Sequence, residues 1–214
     1  MNVIDICKLA PVIPVLTVEE PEVSVPLVKV LLEGGLPAIE VTLRTPKALE
    51  VIRAMSRIEG AVVGAGTLLS SKDVWSAKEA GAKFGVSPGC TPALLNAAIK
   101  AGLPLLPGVA TASELMILLD QGVEVVKFFP AHLAGGAPYI KALQAPFPNI
   151  CFCPTGGITA ENAEEYLLLP NVVCVGGSWV VPRTTLEKRD WTTISELTAV
   201  AANLKTSQPK STTP

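Results

Sequence analysis

Histidine is nearly absent from this chain of 214 residues, with His132 the only one. That makes a Ser-His-Asp triad or a histidine-based metal centre hard to build. Charged residues are sparse at 17% and aromatics at 5%, while hydrophobic residues reach 49%, a balance that excludes a disordered chain. No basic block stands out and the net charge is −2, so neither a nucleic acid nor an anionic membrane surface is an expected partner. Long hydrophobic runs are missing too. Gly, Pro or a charge interrupts each within about 10 residues, short of the ~20 that a spanning helix needs. Residues 1–9 lack the basic start and apolar run of a signal peptide. The cysteines, Cys7, Cys90, Cys151, Cys153 and Cys174, are an odd set without the spacing of a disulfide scaffold. A reduced, cytoplasmic protein is therefore expected. Cys151 and Cys153 lie two apart rather than at zinc-knuckle spacing. They read as small buried hydrophobes, and Trp75, Trp179 and Trp191 as packing residues.

What is present is a repeating pattern. A short apolar run rich in β-branched residues is followed by a Gly/Pro/Thr/Ser cluster and then by an amphipathic stretch of about 10–14 residues, the alternation of parallel strands with helices. Eight such runs can be placed, at 11–18, 38–43, 61–65, 84–87, 103–107, 123–129, 150–153 and 172–175. Helix starts are expected at Thr45-Pro46, Ser70/Ser71, Thr91-Pro92, Ser113-Glu114 and Thr159, with Gly81, Gly102 and Gly122 as stops. Eight strand–helix units point to a small closed (β/α)8 TIM barrel, preceded by a short N-terminal lead-in helix before Ala10. The alternative, an open doubly wound sheet, favours a glycine-rich turn after its first strand, which Thr17-Val18-Glu19 does not supply. The barrel is expected to form one catalytic domain over residues 1–205, with 206–214 as a disordered tail.

Strands buried on both faces exclude charge, so two exceptions are informative. Lys127 lies in Val125-Val126-Lys127-Phe128-Phe129-Pro130. An ammonium among such neighbours loses hydration, which favours the neutral amine and with it imine chemistry. A lysine that snorkels outward or neutralises a phosphate is the alternative. Glu40 lies in Ala38-Ile39-Glu40-Val41-Thr42-Leu43-Arg44. The strand period puts Glu40, Thr42 and Arg44 on one face, with Arg44 nearer the C-terminal mouth. The carboxylate can serve as an acid–base group and the guanidinium as a carboxylate clamp, or the two can form a structural pair. Glycine-rich segments close the runs. Gly156-Gly157 and Gly176-Gly177-Ser178 follow runs seven and eight, where barrels often bind phosphate.

These segments, together with Gly64-Ala65-Gly66-Thr67, Ser87-Pro88-Gly89 and Lys127-Phe128-Phe129-Pro130-Ala131, resemble in order the KDPG/KHG aldolase family of class I. The resemblance spans residues 11 to about 182. It implies a homotrimeric barrel that cleaves 2-keto-3-deoxy-6-phosphogluconate, a small phosphorylated keto-acid, to pyruvate and glyceraldehyde 3-phosphate. The cleavage of 4-hydroxy-2-oxoglutarate to pyruvate and glyoxylate is a further possibility. No metal and no cofactor are implied. Lys127 would form the Schiff base and Glu40 would shuttle protons. Arg44 and Thr67 would hold the pyruvate carboxylate region. Pro88, Phe129 and Thr155 would line the site, and Gly156, Gly157, Gly176, Gly177 and Ser178 would take the phosphate. One residue departs from the family pattern: His132 stands where glutamate is usual. Two other readings stay open, a phosphosugar isomerase or epimerase with Glu40 as base, and a phosphate-ligand binder without activity.

Overall fold

A computed structural model describes residues 1–207. A five-residue helix, α1 (Val3–Cys7), precedes β1 (Val12–Leu16), and a 3-10 turn at Pro21–Val23 leads into α2 (Ser24–Glu33). Strand and helix then alternate: β2 (Ala38–Thr42), α3 (Ala48–Met55), β3 (Val62–Gly66), α4 (Ser71–Glu79), β4 (Phe84–Val86) and α5 (Pro92–Ala101). Two short strands follow, β5 (Leu105–Leu106) and β6 (Gly108–Val109), then α6 (Ala112–Leu119), β7 (Val125–Phe128) and α7 (Gly136–Leu143). The chain continues through β8 (Cys151–Pro154), α8 (Ala163–Leu167), β9 (Val175–Gly177), α9 (Arg183–Glu187) and α10 (Trp191–Ala202).

All strand pairs are parallel, as the helical crossovers require. They form a curled six-stranded sheet, ordered β5-β4-β3-β2-β1-β9, and a three-stranded sheet, β6-β7-β8. The fifth expected strand, at 103–107, is the short β5, and a further strand, β6, forms just past Pro107, beyond the expected run. Proline has no N–H to give a ladder. The residues before it pair with β4 and those after it with β7. Isolated bridges Phe152↔Val172 and Thr155↔Gly176 join β8 to the β9 segment. The last strand also sits later than expected, at Val175–Gly177, because its glycines pair with Ile13 and Pro14 of β1.

Strand side chains alternate between two apolar layers. The outer layer packs Val12, Leu16, Ile39, Val41, Val63, Val126, Phe128 and Phe152 against the helices. The inner layer holds Ile13, Ala38, Phe84, Val86, Val125, Cys153 and Cys174, and α1 adds Ile6 and Cys7 beneath them. The lead-in helix is therefore a plug at the N-terminal ends of the strands.

Several helix starts differ from the sequence reading. Ser70 and Thr91 cap α4 and α5 as expected, and Gly102 ends α5 in the left-handed conformation. The Thr45 hydroxyl instead donates to Val18 O at 2.8 Å, so α3 begins after Lys47 without a side-chain cap. Thr111 caps α6 in a reciprocal box with Glu114, one turn's geometry that Ser113 does not provide. Thr159 and Asn162 bond to each other in a turn, and α8 starts only at Ala163. Trp75 is 46% exposed rather than packed, whereas Trp179 and Trp191 lie against the outer layer. The expected tail is anchored at its start. Ser207 N–H donates to Leu167 O at 3.0 Å and its hydroxyl to Leu169 O at 2.9 Å. Residues 208–214 lie outside the described residues. Among the described residues, no helix is long and apolar enough to cross a membrane.

Candidate active site

Lys127 shares the inner face of β7 with Val125, flanked in register by Gly108 of β6 and Cys153 of β8. Glu40 occupies the inner face of β2, flanked by Val15 and Gly64. The two meet across the interior, from different sheets, with Lys127 Nζ 3.6 Å from Glu40 Oε1. Both are deeply buried, at 5% and 3% exposure. Two such charges lose their hydration and hold one another in place. Glu40 Oε1 accepts no hydrogen bond among the described residues, so an oxygen faces the amine with its proton-accepting capacity free. The Phe129 ring supplies the remaining wall, with Nζ 5.2 Å from its centroid. That distance lies within cation–π range. The Phe129-Pro130 peptide is cis.

At the C-terminal ends of the strands the interior becomes polar. Thr42 Oγ1, two residues beyond Glu40, donates to Leu16 O at 2.9 Å and sits 3.1 Å from Thr17 Oγ1. Thr67 follows β3 with φ 61°, a left-handed conformation that a β-branched residue adopts only under strain. Pro88 is half-buried, and its carbonyl approaches Gly108 so closely that a side chain at 108 would collide with it. Thr155 is buried, with its backbone joined to Phe128 and Ala131 on the β7 side and bridged to Gly176 on the other. Gly156 and Gly157 then turn with φ of 97° and 75°. A side chain at 156 would press on the Phe129 ring and one at 157 on His132. The His132 N–H donates to Gly156 O at 3.0 Å, and its side chain is exposed beside this turn.

Two expectations need correcting. Gly176 and Gly177 are not loop residues; both are buried within β9, and only Ser178 emerges from its end. Arg44 lies past β2 in an exposed turn rather than on the inner strand face. It makes no ion pair among the described residues, which removes the structural Glu40–Arg44 pair, since Glu40 faces Lys127 instead. Gly64 and Gly66 join the site as well: Gly64 pairs in register with Glu40, and the bare Cα of Gly66 stands against its carboxylate. The signal available was their two-residue spacing within one strand run.

The cysteines are all free thiols. Contacts with the Cys153 and Cys7 thiols, together with complete burial, push the Cys174 thiol well above its ordinary range. It is held as the unreactive protonated form. Among the described residues no group of three or more His, Cys, Asp or Glu is placed to hold a metal ion.

A buried amine thus faces a buried carboxylate within a parallel α/β interior. The family model for KDPG and KHG aldolase matches residues 3–197. The chain belongs to the KDPG and KHG aldolase family. Among curated members, the 2-dehydro-3-deoxy-phosphogluconate aldolase of Pseudoalteromonas atlantica is 48% identical over 194 residues, 90% of either chain. The KHG/KDPG aldolase of Escherichia coli K12 is 46% identical over 193 residues, 90% of this chain and 91% of its own. A solved KDPG aldolase from Legionella pneumophila superposes with a TM-score of 0.92 at 44% identity, covering 95% of this chain and 99% of the other. That aldolase was captured with pyruvate as a covalent carbinolamine intermediate.

Proposed function

We propose that this aldolase family member cleaves 2-keto-3-deoxy-6-phosphogluconate to pyruvate and glyceraldehyde 3-phosphate by class I chemistry, with 4-hydroxy-2-oxoglutarate as a second substrate. The observation that carries the reading is the desolvated Lys127 Nζ, 3.6 Å from a carboxylate oxygen with no hydrogen-bond partner among the described residues. Glu40 takes a proton from the amine, and the neutral Lys127 attacks the substrate C2 carbonyl. Glu40 returns its proton to the carbinolamine hydroxyl, which leaves as water, so that a protonated imine forms and the carboxylate is free again. Glu40 then removes the C4 hydroxyl proton. The C3–C4 bond breaks, the aldehyde leaves, and the bonding pair enters the imine as an enamine. Protonation at C3 and hydrolysis release pyruvate and restore the amine.

Arg44, exposed past β2, and the strained Thr67 take the carboxylate end of the substrate; Pro88, Phe129 and Thr155 line its middle. The Thr155↔Gly176 bridge sets the Gly156-Gly157 turn alongside the end of β9, which supports a phosphate seat built from that turn and from Gly176, Gly177 and Ser178. Left-handed glycines let backbone N–H groups converge on an anion. We extend the two sheets to a closed (β/α)8 barrel. Three features support closure: Pro107 alone separates β5 from β6, two bridges join β8 to β9, and the Lys127–Glu40 pair spans the sheets. The barrel forms one domain through residue 205, works in the cytoplasm and assembles as a homotrimer. Exposed Leu69, Trp75, Ile99, Met116 and Ile117 on and beside α4, α5 and α6 support burial against other copies.

The test is borohydride reduction with pyruvate followed by mass spectrometry. A reduced pyruvyl adduct on Lys127, loss of turnover in K127A, and slowed turnover with retained trapping in E40Q are expected. Near-normal cleavage by K127A overturns the reading. Light scattering at micromolar concentration should return three times the chain mass, and a monomer would overturn the assembly.

A further inference from the structure

We propose that Gly66 is a positioning residue for the acid–base carboxylate: its missing side chain is the space in which the Glu40 carboxylate stands. The inference rests on the aldolase reading of Lys127 and Glu40. Gly66 ends β3 and pairs with Thr42, so it lies one inward step beyond Gly64, the register partner of Glu40. A Cβ built on Gly66 would collide with Glu40 Oε1, and it would stand 2.6 Å from Glu40 Cγ and 2.7 Å from Cδ. All three atoms nearest that Cβ belong to one side chain, the one that faces Lys127. The backbone does not itself require glycine there, since Gly66 is a strand residue and lies outside the positive-φ set. The constraint is therefore on volume. The carboxylate is held from one side by the amine and from another by a bare Cα, and a single methyl group at position 66 would drive it out of line with the C4 hydroxyl.

Gly64 serves a different neighbour. A Cβ there would strike the Phe84 ring of the inner layer, not the carboxylate. It is the natural control, because G64A disturbs the same strand chiefly through Phe84, whose ring supplies the three atoms nearest its Cβ.

The experiment is a size exchange between positions 66 and 40, read by kcat, KM and borohydride trapping. G66A should keep Lys127 trappable with pyruvate and keep KM within about threefold, while kcat falls about 100-fold, the lower end of what a positioned acid–base group contributes. Aspartate at 40 is one methylene shorter and vacates the space. The double variant G66A/E40D should therefore turn over faster than G66A alone, and G66A should cost little in the E40D background. Wild-type kcat in G66A overturns the proposal, as does a double variant whose losses simply multiply. A G66A chain that is insoluble in both backgrounds also overturns it, because the glycine then serves the fold. K127A keeps the two readings apart. Cleavage by K127A removes the aldolase assignment, whereas a neutral G66A removes only the role of Gly66.

Discussion

The Lys127–Glu40 pair should reveal itself in stability as well as in turnover. With the side chains only 6% and 4% exposed and 3.6 Å apart, neither ion has water to compensate for a lost partner. At an effective dielectric of about 20, two unit charges at this separation attract by about 4.6 kcal/mol. Removing one member of a buried pair costs about 3–5 kcal/mol, because the other is stranded. At 3.6 Å the contact has charge attraction without a short hydrogen bond, which places the expected loss for K127M or E40Q near 3 kcal/mol. The double variant K127M/E40Q strands no charge and should recover part of that loss. Urea unfolding at pH 7.5 and one fixed protein concentration measures all four chains, and the midpoints with their slopes close the cycle. A coupling below about 1 kcal/mol would mean that the two groups act independently, and the argument that they neutralise one another in a dry interior would be wrong.

Other outcomes can be checked separately. Thr67→Gly relieves the left-handed strain and should stabilise the chain by about 1 kcal/mol while lowering kcat/KM through loss of the hydroxyl; thermal melts and steady-state assays read the two effects. Gly157→Ala, at φ 75° and with its Cβ 2.5 Å from that of His132, should lower the preference for phosphorylated over unphosphorylated keto-acids. About tenfold is expected, the worth of one charge-assisted hydrogen bond, and competition between the two substrates measures it. Glu114 offers a pH test. Burial raises its carboxyl, but the hydrogen bonds from Ala110 N–H and from the Thr111 hydroxyl and N–H outweigh burial and hold it below the ordinary value. A depressed carboxyl stabilises the fold above its unfolded pKa, and that contribution fades as pH falls through the folded value. E114Q should therefore flatten the acid limb of the stability–pH curve, as followed by circular dichroism.

Much of this architecture can be read along the chain because each cue is local. Apolar runs separated by capped helices specify parallel strands, and Lys127 and Glu40 stand out because each is the one charged residue of its strand. What escapes is set by partners distant in sequence. Whether a proline divides a strand depends on which neighbours offer a ladder, and at Pro107 the pairing passes from β4 to β7. Gly176-Gly177 reads as a loop until β1 is seen to pair with it. Thr45-Pro46 has the form of a helix start, yet the hydroxyl is used across the fold at Val18. Gly66 carries no chemistry of its own, and its meaning comes from a side chain 26 positions earlier.

The short helix α1 has an effect at a distance. Ile6 and Cys7 close the end of the interior opposite to the mouth, under the first residues of β2, β4 and β7. A chain trimmed of its first nine residues would keep every group named in the reaction and still be impaired. Solvent would rise from below and wet the amine, so the dryness around the Lys127 nitrogen depends on a stopper with which it shares no bond.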